Sequence, residues 1–375
     1  MKNHRGIAQR LDGVSLSLIR QVFENAPPDA INLGLGEPAF TTAPEIVDTA
    51  LTVLETKPLG YTFNGGILEL RELIAQRAPG NHTADSVCVT VGANGGLLGS
   101  MLVSVDAGDE VLVPNPGFPT YEAITSLAGA QPVCYPMSAD DGFCFSVDAL
   151  EKLITKKTRA VVINSPSNPT GHIIPSSELK ELATFADAHD LMVISDEVYH
   201  EFYYGEPCPS FLDVSDRGLV VNSLSKTEAM TGWRIGWTVG APEFISAITA
   251  VNQHSVTCAP TLSQRVALRA LGAGAAERAA GTRADFARRR GLMLKLIDDQ
   301  LRLPRIAPEG AFFVLMEATP SGDSLELALD ILDKTNVITV PGSAFGKQSS
   351  RFLRLSFGAA EASILEGLRR LGGYF

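Results

Sequence analysis

The sequence predicts an α/β protein: a large domain on a mostly parallel, helix-covered sheet, with a smaller α+β domain beside it. Three observations carry this. Short apolar runs alternate with amphipathic segments from about Ala43 to about Leu271, which is the pattern of parallel strands joined by helical crossovers. Several of those runs are apolar throughout, as strands covered on both faces must be. Beyond Leu271 the alternation is shorter and mixed, which suits the smaller domain. With 375 residues and 45% hydrophobic content, the chain is long enough for two compact domains.

The elements follow in order. Residues 1–42 form an N-terminal segment, whose first stretch, Met1 to Phe23, mixes charges with short apolar pieces and holds no continuous apolar stretch of the signal-peptide kind. They are expected to pack with the small domain, 272–375, leaving 43–271 as the large domain. Val87-Cys-Val-Thr-Val91 reads as a strand running into Gly92-Ala93-Asn94-Gly95-Gly96, a glycine-rich turn that opens an apolar helix. Backbone N–H groups at such a helix start bind phosphate. Glu110–Val113 is a strand, followed by Pro114-Asn-Pro-Gly-Phe118. Arg159–Ile163 and Leu191–Ile194 are buried-strand runs ending in Asn164-Ser-Pro-Ser-Asn168-Pro-Thr-Gly171 and Ser195-Asp196-Glu-Val-Tyr199. Polar residues at the carboxyl ends of parallel strands lie where open α/β sheets bind ligands. Gly218–Val221 leads into Asn222-Ser223-Leu-Ser225-Lys226, and Gly236–Val239 follows Arg234. The rest is a small-residue stretch, Gly272 to Gly281, a basic helix with Arg288-Arg-Arg290, and an apolar run, Phe352-Leu-Arg354-Leu-Ser-Phe357.

Composition excludes several classes. A net charge of −11 and an isoelectric point near 5.1 argue against nucleic acid or anionic membrane as partner. The triple arginine, without interleaved aromatics, reads as a solvated helix face. Pro, Gly or a charge interrupts every apolar run, so no membrane span is expected. The five cysteines are scattered without a Cys-x-x-Cys, as in a cytoplasmic protein with reduced thiols. The six histidines show no ligand spacing, so no metal is assigned.

The chemistry concentrates at Lys226. A lysine among small hydroxyl residues, with Arg234 shortly downstream, suits a Schiff base beside a phosphate, and that pairing implies pyridoxal 5'-phosphate. Gly34-Leu-Gly36-Glu-Pro-Ala39 matches a dinucleotide fingerprint, but Pro38 and the run to Pro44 postpone the helix that the fingerprint requires. Gly342-Ser-Ala-Phe-Gly346-Lys347 is one residue short of a phosphate loop, and Gln348 stands in the hydroxyl position. A non-catalytic regulator has no reason to keep Lys226 with Asp196, Asn168 and Tyr199.

These motifs, with Ile31-Asn-Leu-Gly-Leu-Gly36-Glu-Pro38, Gly60-Tyr61-Thr and Leu70-Arg71, stand in the order found in the class I/II aminotransferases of fold type I, which the chain resembles over nearly its whole length. The resemblance implies a seven-stranded large domain and a pyridoxal-phosphate enzyme moving an amino group between an L-amino acid and a 2-oxo acid. Lys226 would carry the cofactor and move the substrate proton, and Asp196 would face the pyridine nitrogen. Asn168 and Tyr199 would bond the ring's phenolic oxygen, and Phe118 would stack on the ring. The phosphate would fall to Gly92, Ala93, Asn94, Ser223, Arg234 and, secondarily, Ser225. Arg354 and backbone near Gly36 would hold the substrate carboxylate. Tyr61 would cross to the second subunit's phosphate in a homodimer with shared active sites. Two departures, Ala39 and the sparse Asn94-Gly95-Gly96 turn, bear on specificity. A lyase, oxidase or cyclase on this fold would use the same residues.

Overall fold

The computed structural model describes residues 8–11, 14, 16–319 and 323–375. In chain order its strands are β1 (Ile31–Asn32), β2 (Val87–Thr90), β3 (Glu110–Asn115), β4 (Gln131–Pro136), β5 (Thr158–Asn164), β6 (Met192–Asp196), β7 (Gly218–Ser223), β8 (Gly236–Val239), β9 (Arg305–Ile306), β10 (Phe313–Glu317), β11 (Val337–Ile338), β12 (Val340–Pro341) and β13 (Phe352–Ser356). Seven of them form one sheet in the order β2-β8-β7-β6-β5-β3-β4. Neighbours from β7 to β4 pair in parallel, whereas β8 runs antiparallel to both β7 and β2. Val161, Val162, Ile163, Val193, Ile194 and Val221 are buried, because helices cover both faces.

The direction of β8 is a finding beyond the sequence pattern, which groups Gly236–Val239 with the other buried runs. Only residues 224–235 connect β7 to β8, and they contain no crossover helix. Without one the chain cannot return to the sheet in parallel. Those connecting residues carry Lys226, so the irregular backbone is also the part that presents the lysine.

A second, antiparallel sheet has the order β12-β13-β10-β9. The N-terminal segment joins this end of the molecule, with β1 parallel to β11 and Ile31 opposite Val337. Phe202, Phe286, Phe312 and Phe313 are buried together there. The small-residue stretch and the basic helix prove to be one helix, Ala275–Leu296. Alanines on both sides sustain it through Gly281, whose surroundings are open, so the glycine costs only about 1 kcal/mol. The three arginines are used within the chain: Arg288 pairs with Asp285 and Glu361, Arg289 pairs with Asp285, and Arg290 donates to Pro308 O.

Candidate active site

The carboxyl ends of β5, β6 and β7 deliver Asn164, Asp196 and Ser223 to one edge of the large sheet, and the connection after β7 brings Lys226 over them. They line a cavity of about 340 Å³, closed from the other side by Ile19, Leu35, Gly36, Glu37 and Arg354. Lys226 Nζ donates to Gly36 O at 2.7 Å. Burial pulls its pKa down to about 8; the charge of Glu37 opposes the shift and that of Arg354 adds to it. An ammonium taken from water is disfavoured, so this lysine can give and take a proton near neutral pH.

Asp196 is held on two sides. Tyr121 Oη donates to its Oδ2 at 2.8 Å, and Val198 N donates to its Oδ1 at 3.3 Å. Burial lifts its pKa to about 6, while these donors and the charge of Lys226 pull the other way. Burial also pushes the Tyr121 hydroxyl well up, with the Asp196 charge adding to it. Tyr121 therefore remains a donor, and a positive group brought against Asp196 would secure the carboxylate form.

A cradle for an anion lies at the start of the helix Gly92–Ser104. Gly92 has φ of 66°, and a Cβ there would run into the Arg234 guanidinium. Only glycine leaves that space. Gly236 is equally confined, with Gly92 C 2.7 Å and Ala93 N 2.8 Å from where its Cβ would stand, so β8 lies tight under the helix start. Arg234 is itself at φ 53° and donates through Nη1 to Thr231 O at 2.7 Å, which aims the rest of the fork. Uncapped helical N–H groups with a guanidinium and nearby hydroxyls make a site for phosphate.

Arg354, in the middle of β13, is buried. Its guanidinium lies 4.2 Å from the centre of the Phe313 ring and 4.9 Å from that of Phe345. Nη1 donates to Asn168 Oδ1 at 2.8 Å, and Nη2 donates to Gly34 O. Nε has no hydrogen-bond partner among the described residues. Burial lowers the pKa to about 10, the Tyr199 hydroxyl opposing it. A buried arginine whose hydrogen-bond partners are neutral has charge left to pair with a carboxylate.

The profile of the family described as aminotransferase class I and II matches residues 28–371. The chain belongs to the class I and II aminotransferases. Among its relatives, an aspartate aminotransferase of Pyrococcus abyssi is 36% identical, with 97% of each chain covered. A valine–pyruvate aminotransferase of Mycobacterium tuberculosis is 37% identical, with 92% of this chain and 91% of the relative covered. A solved single mutant of Thermus thermophilus aspartate aminotransferase is 31% identical with a TM-score of 0.92, covering 99% of this chain and 100% of that one.

In this aminotransferase the residues singled out from sequence are largely brought together. Gly36, Ala93, Asn94, Phe118, Asn168, Asp196, Tyr199, Ser223, Ser225, Lys226, Arg234 and Arg354 line the cavity, and Gly92 backs Arg234. Phe118 meets Tyr121 edge-on with ring centres 5.9 Å apart. Tyr199 is fixed edge-on to Phe312 and Phe313, at 5.4 and 5.5 Å. Tyr61 does not line the cavity; it is 87% exposed. Sequence reasoning missed Tyr121, Asn164, Thr231, Glu37, Leu35 and Ile19. Tyr121 joins the site through Asp196, 75 residues further along the chain, so no local pattern marks it.

Proposed function

We propose that this aminotransferase binds pyridoxal 5'-phosphate in the cavity and uses it to exchange the amino group of an L-amino acid with a 2-oxo acid. The observation that carries the proposal is the conjunction, in one cavity, of a lysine held near a pKa of 8, a carboxylate held near 6, and the Gly92–Arg234 cradle. The residues fit the group. When bound, it supplies an aldehyde for the amino group and an electron-withdrawing ring. Lys226 would hold it covalently and, once released, carry the proton to and from the substrate Cα. Asp196, kept in place by Tyr121 and Val198 N, would keep the ring nitrogen protonated. Arg234, Ser223, Ser225 and the N–H groups of Gly92, Ala93 and Asn94 would hold the phosphate. Asn168 and Tyr199 would serve the phenolic oxygen, Phe118 the ring face, and Arg354 with Gly36 the substrate carboxylate.

A homodimer with shared sites belongs to this reading. Tyr61 and Phe63 are exposed, as are Leu51, Leu54, Leu59 and Leu68 around them in the chain. A run of this kind on a soluble surface calls for a partner, and a second copy would bring its own Tyr61 to the first copy's phosphate. We further place the domain divisions near residues 42 and 271, and the protein in the cytoplasm. The cysteines are unpaired, and among the described residues no helix is long and apolar enough to cross a membrane.

The decisive experiment gives the purified protein, loaded with pyridoxal phosphate, a panel of L-amino acids with 2-oxo acids. Release of the keto acid with transfer of the amino group is expected. Ammonia or peroxide in its place would refute transamination. Borohydride should fix the cofactor to wild type and not to Lys226→Ala; equal labelling would remove Lys226 from its role.

A further inference from the structure

Asn168 meets Arg354 inside the cleft, and a second contact between the same two parts of the chain lies just outside it. The turn carrying Asn168 closes through Ser167 N to His172 O and Gly171 N to Ser167 O, both 2.9 Å. Onto it docks Pro308-Glu309-Gly310, the segment leading into β10. The N–H groups of Glu309 and Gly310 both donate to Gly171 O, at 2.9 and 2.8 Å. Gly171 has φ of 72°, and a Cβ there would strike Pro308, so the approach requires glycine. The side chains then interlock. His172 Nδ1 stands 3.0 Å from Glu309 Oε2, and the same oxygen accepts from Ile173 N at 2.9 Å. His172 Nε2 is buried with no hydrogen-bond partner among the described residues, so Nδ1 anchors the ring.

We propose that His172 and Glu309 are a positioning pair for substrate binding, holding the turn at the height where Asn168 Oδ1 engages Arg354. This rests on the reading of Arg354 as the carboxylate receptor. The contacts form a closed ring. Glu309 precedes Phe313 on the same segment, Phe313 lies against Arg354, and β10 pairs with β13 so that Leu315 stands opposite Arg354. Arg354 reaches Asn168, and the turn from Asn168 returns to His172 and Glu309. Spacing set at one point of such a ring is felt at the opposite point. The backbone bonds to Gly171 all meet one carbonyl, about which the turn could rock, whereas the Glu309 carboxylate, accepting from Ile173 N and held by His172 Nδ1, adds a second point of attachment and stops the rocking. The hydrogen bond from His172 holds the Glu309 carboxyl below its usual pKa, with Ile173 N helping and burial opposing, so the acceptor is ionised through the neutral range. Glu178, at the start of the helix Ser176–His189, is the other carboxylate that feels the imidazole; it lies on the large-domain side and does not bridge to β10.

The test is steady-state kinetics of the loaded enzyme for His172→Ala, Glu309→Ala, their double variant, and His172→Asn, whose amide nitrogen takes the place of Nδ1. KM for amino acid and 2-oxo acid should rise roughly tenfold in each alanine variant, within the range of coupling across such networks. The kcat and the cofactor absorption should hold. The double variant should be no worse than the worse single one, and His172→Asn should recover most of the lost KM. Losses in kcat with KM unchanged, additive effects, no rescue, or unaltered kinetics would each overturn the pairing. Should an alanine variant fail to fold, Glu309→Gln decides by the same KM criterion. Arg354→Lys runs alongside: if it leaves KM unchanged, the carboxylate reading itself fails, and if it alone raises KM, only the pair does.

Discussion

Tyr121 donates its hydroxyl hydrogen to Asp196 Oδ2 across 2.8 Å, with both side chains buried. The bond favours the carboxylate form and is one of the two donors opposing the burial that lifts Asp196 to about 6. Tyr121→Phe removes it and raises that pKa further. If catalysis needs Asp196 ionised, the acidic limb of the activity profile moves to higher pH by about one unit, the equivalent of about 1.5 kcal/mol for a hydrogen bond to a charge. A profile of kcat/KM against pH for the two proteins checks this, and an unmoved limb would sink it.

How much was legible turned on which interactions are local. β5, β6 and β7 announce themselves because both faces are covered and their central residues are apolar, and Asp196 is readable as a site residue from its place at the end of β6, whereas Asn164 at the end of β5 is not singled out. The edge strand β4 hides behind Pro132 and Pro136, which an edge strand tolerates. β1, β11 and β12 are two residues each, too short for any periodicity. The direction of β8 is set by what its connection lacks. Tyr121 belongs to the site through a partner 75 residues away, and His172 meets Glu309 from another strand connection, so no spacing along the chain reveals either.

Lys226 makes a prediction about stability. Its pKa falls from 10.5 to about 8 in the folded protein. Below pH 8 the cofactor-free protein buries a charge that the unfolded chain leaves in water. Between about 8 and 10.5 the unfolded state binds more protons than the folded one, so stability rises with pH across that window. Lys226→Met should therefore melt higher than wild type at pH 7, by up to roughly 3 kcal/mol before the lost bond to Gly36 O is deducted. The gap should narrow towards pH 10.5. Thermal melts of both proteins measure it; a constant gap would contradict the assignment.

Arg354→Lys tests the carboxylate receptor. The flat guanidinium fits between Phe313 and Phe345 and presents paired donors, which an ammonium cannot reproduce. KM for amino acids and 2-oxo acids should rise together, by about 2–3 kcal/mol for the loss of a charge-assisted pair. Cofactor affinity should stay where it was, and simple amines should lose little. Kinetics with both substrates and a cofactor titration separate these outcomes.

Tyr61 should act on the other subunit. A Tyr61→Ala subunit mixed with a Lys226→Ala subunit forms hybrid dimers in which one site keeps both residues. Activity should reappear on mixing two proteins that are each impaired. No recovery, with exchange shown by native mass spectrometry, would place Tyr61 outside the site.

The last prediction concerns the substrate side chain, on which the relatives' own names diverge between aspartate and valine with pyruvate. Among the described residues, the cations lining the cavity are Lys226, Arg234 and Arg354, and each already has a proposed task. In the phosphate turn Asn94 is neutral, and Ile19 and Leu35 add apolar surface to the cavity. This chain's own side of the cavity therefore offers a dicarboxylic substrate no dedicated counter-charge, while Glu37 adds a negative one. Aspartate and glutamate should not surpass neutral amino acids by a hundredfold in kcat/KM, which would take roughly 2.7 kcal/mol of discrimination. Asn94→Lys should shift the preference towards aspartate. If wild type already shows that hundredfold preference, the inference from Asn94 is wrong and a cation elsewhere supplies the counter-charge.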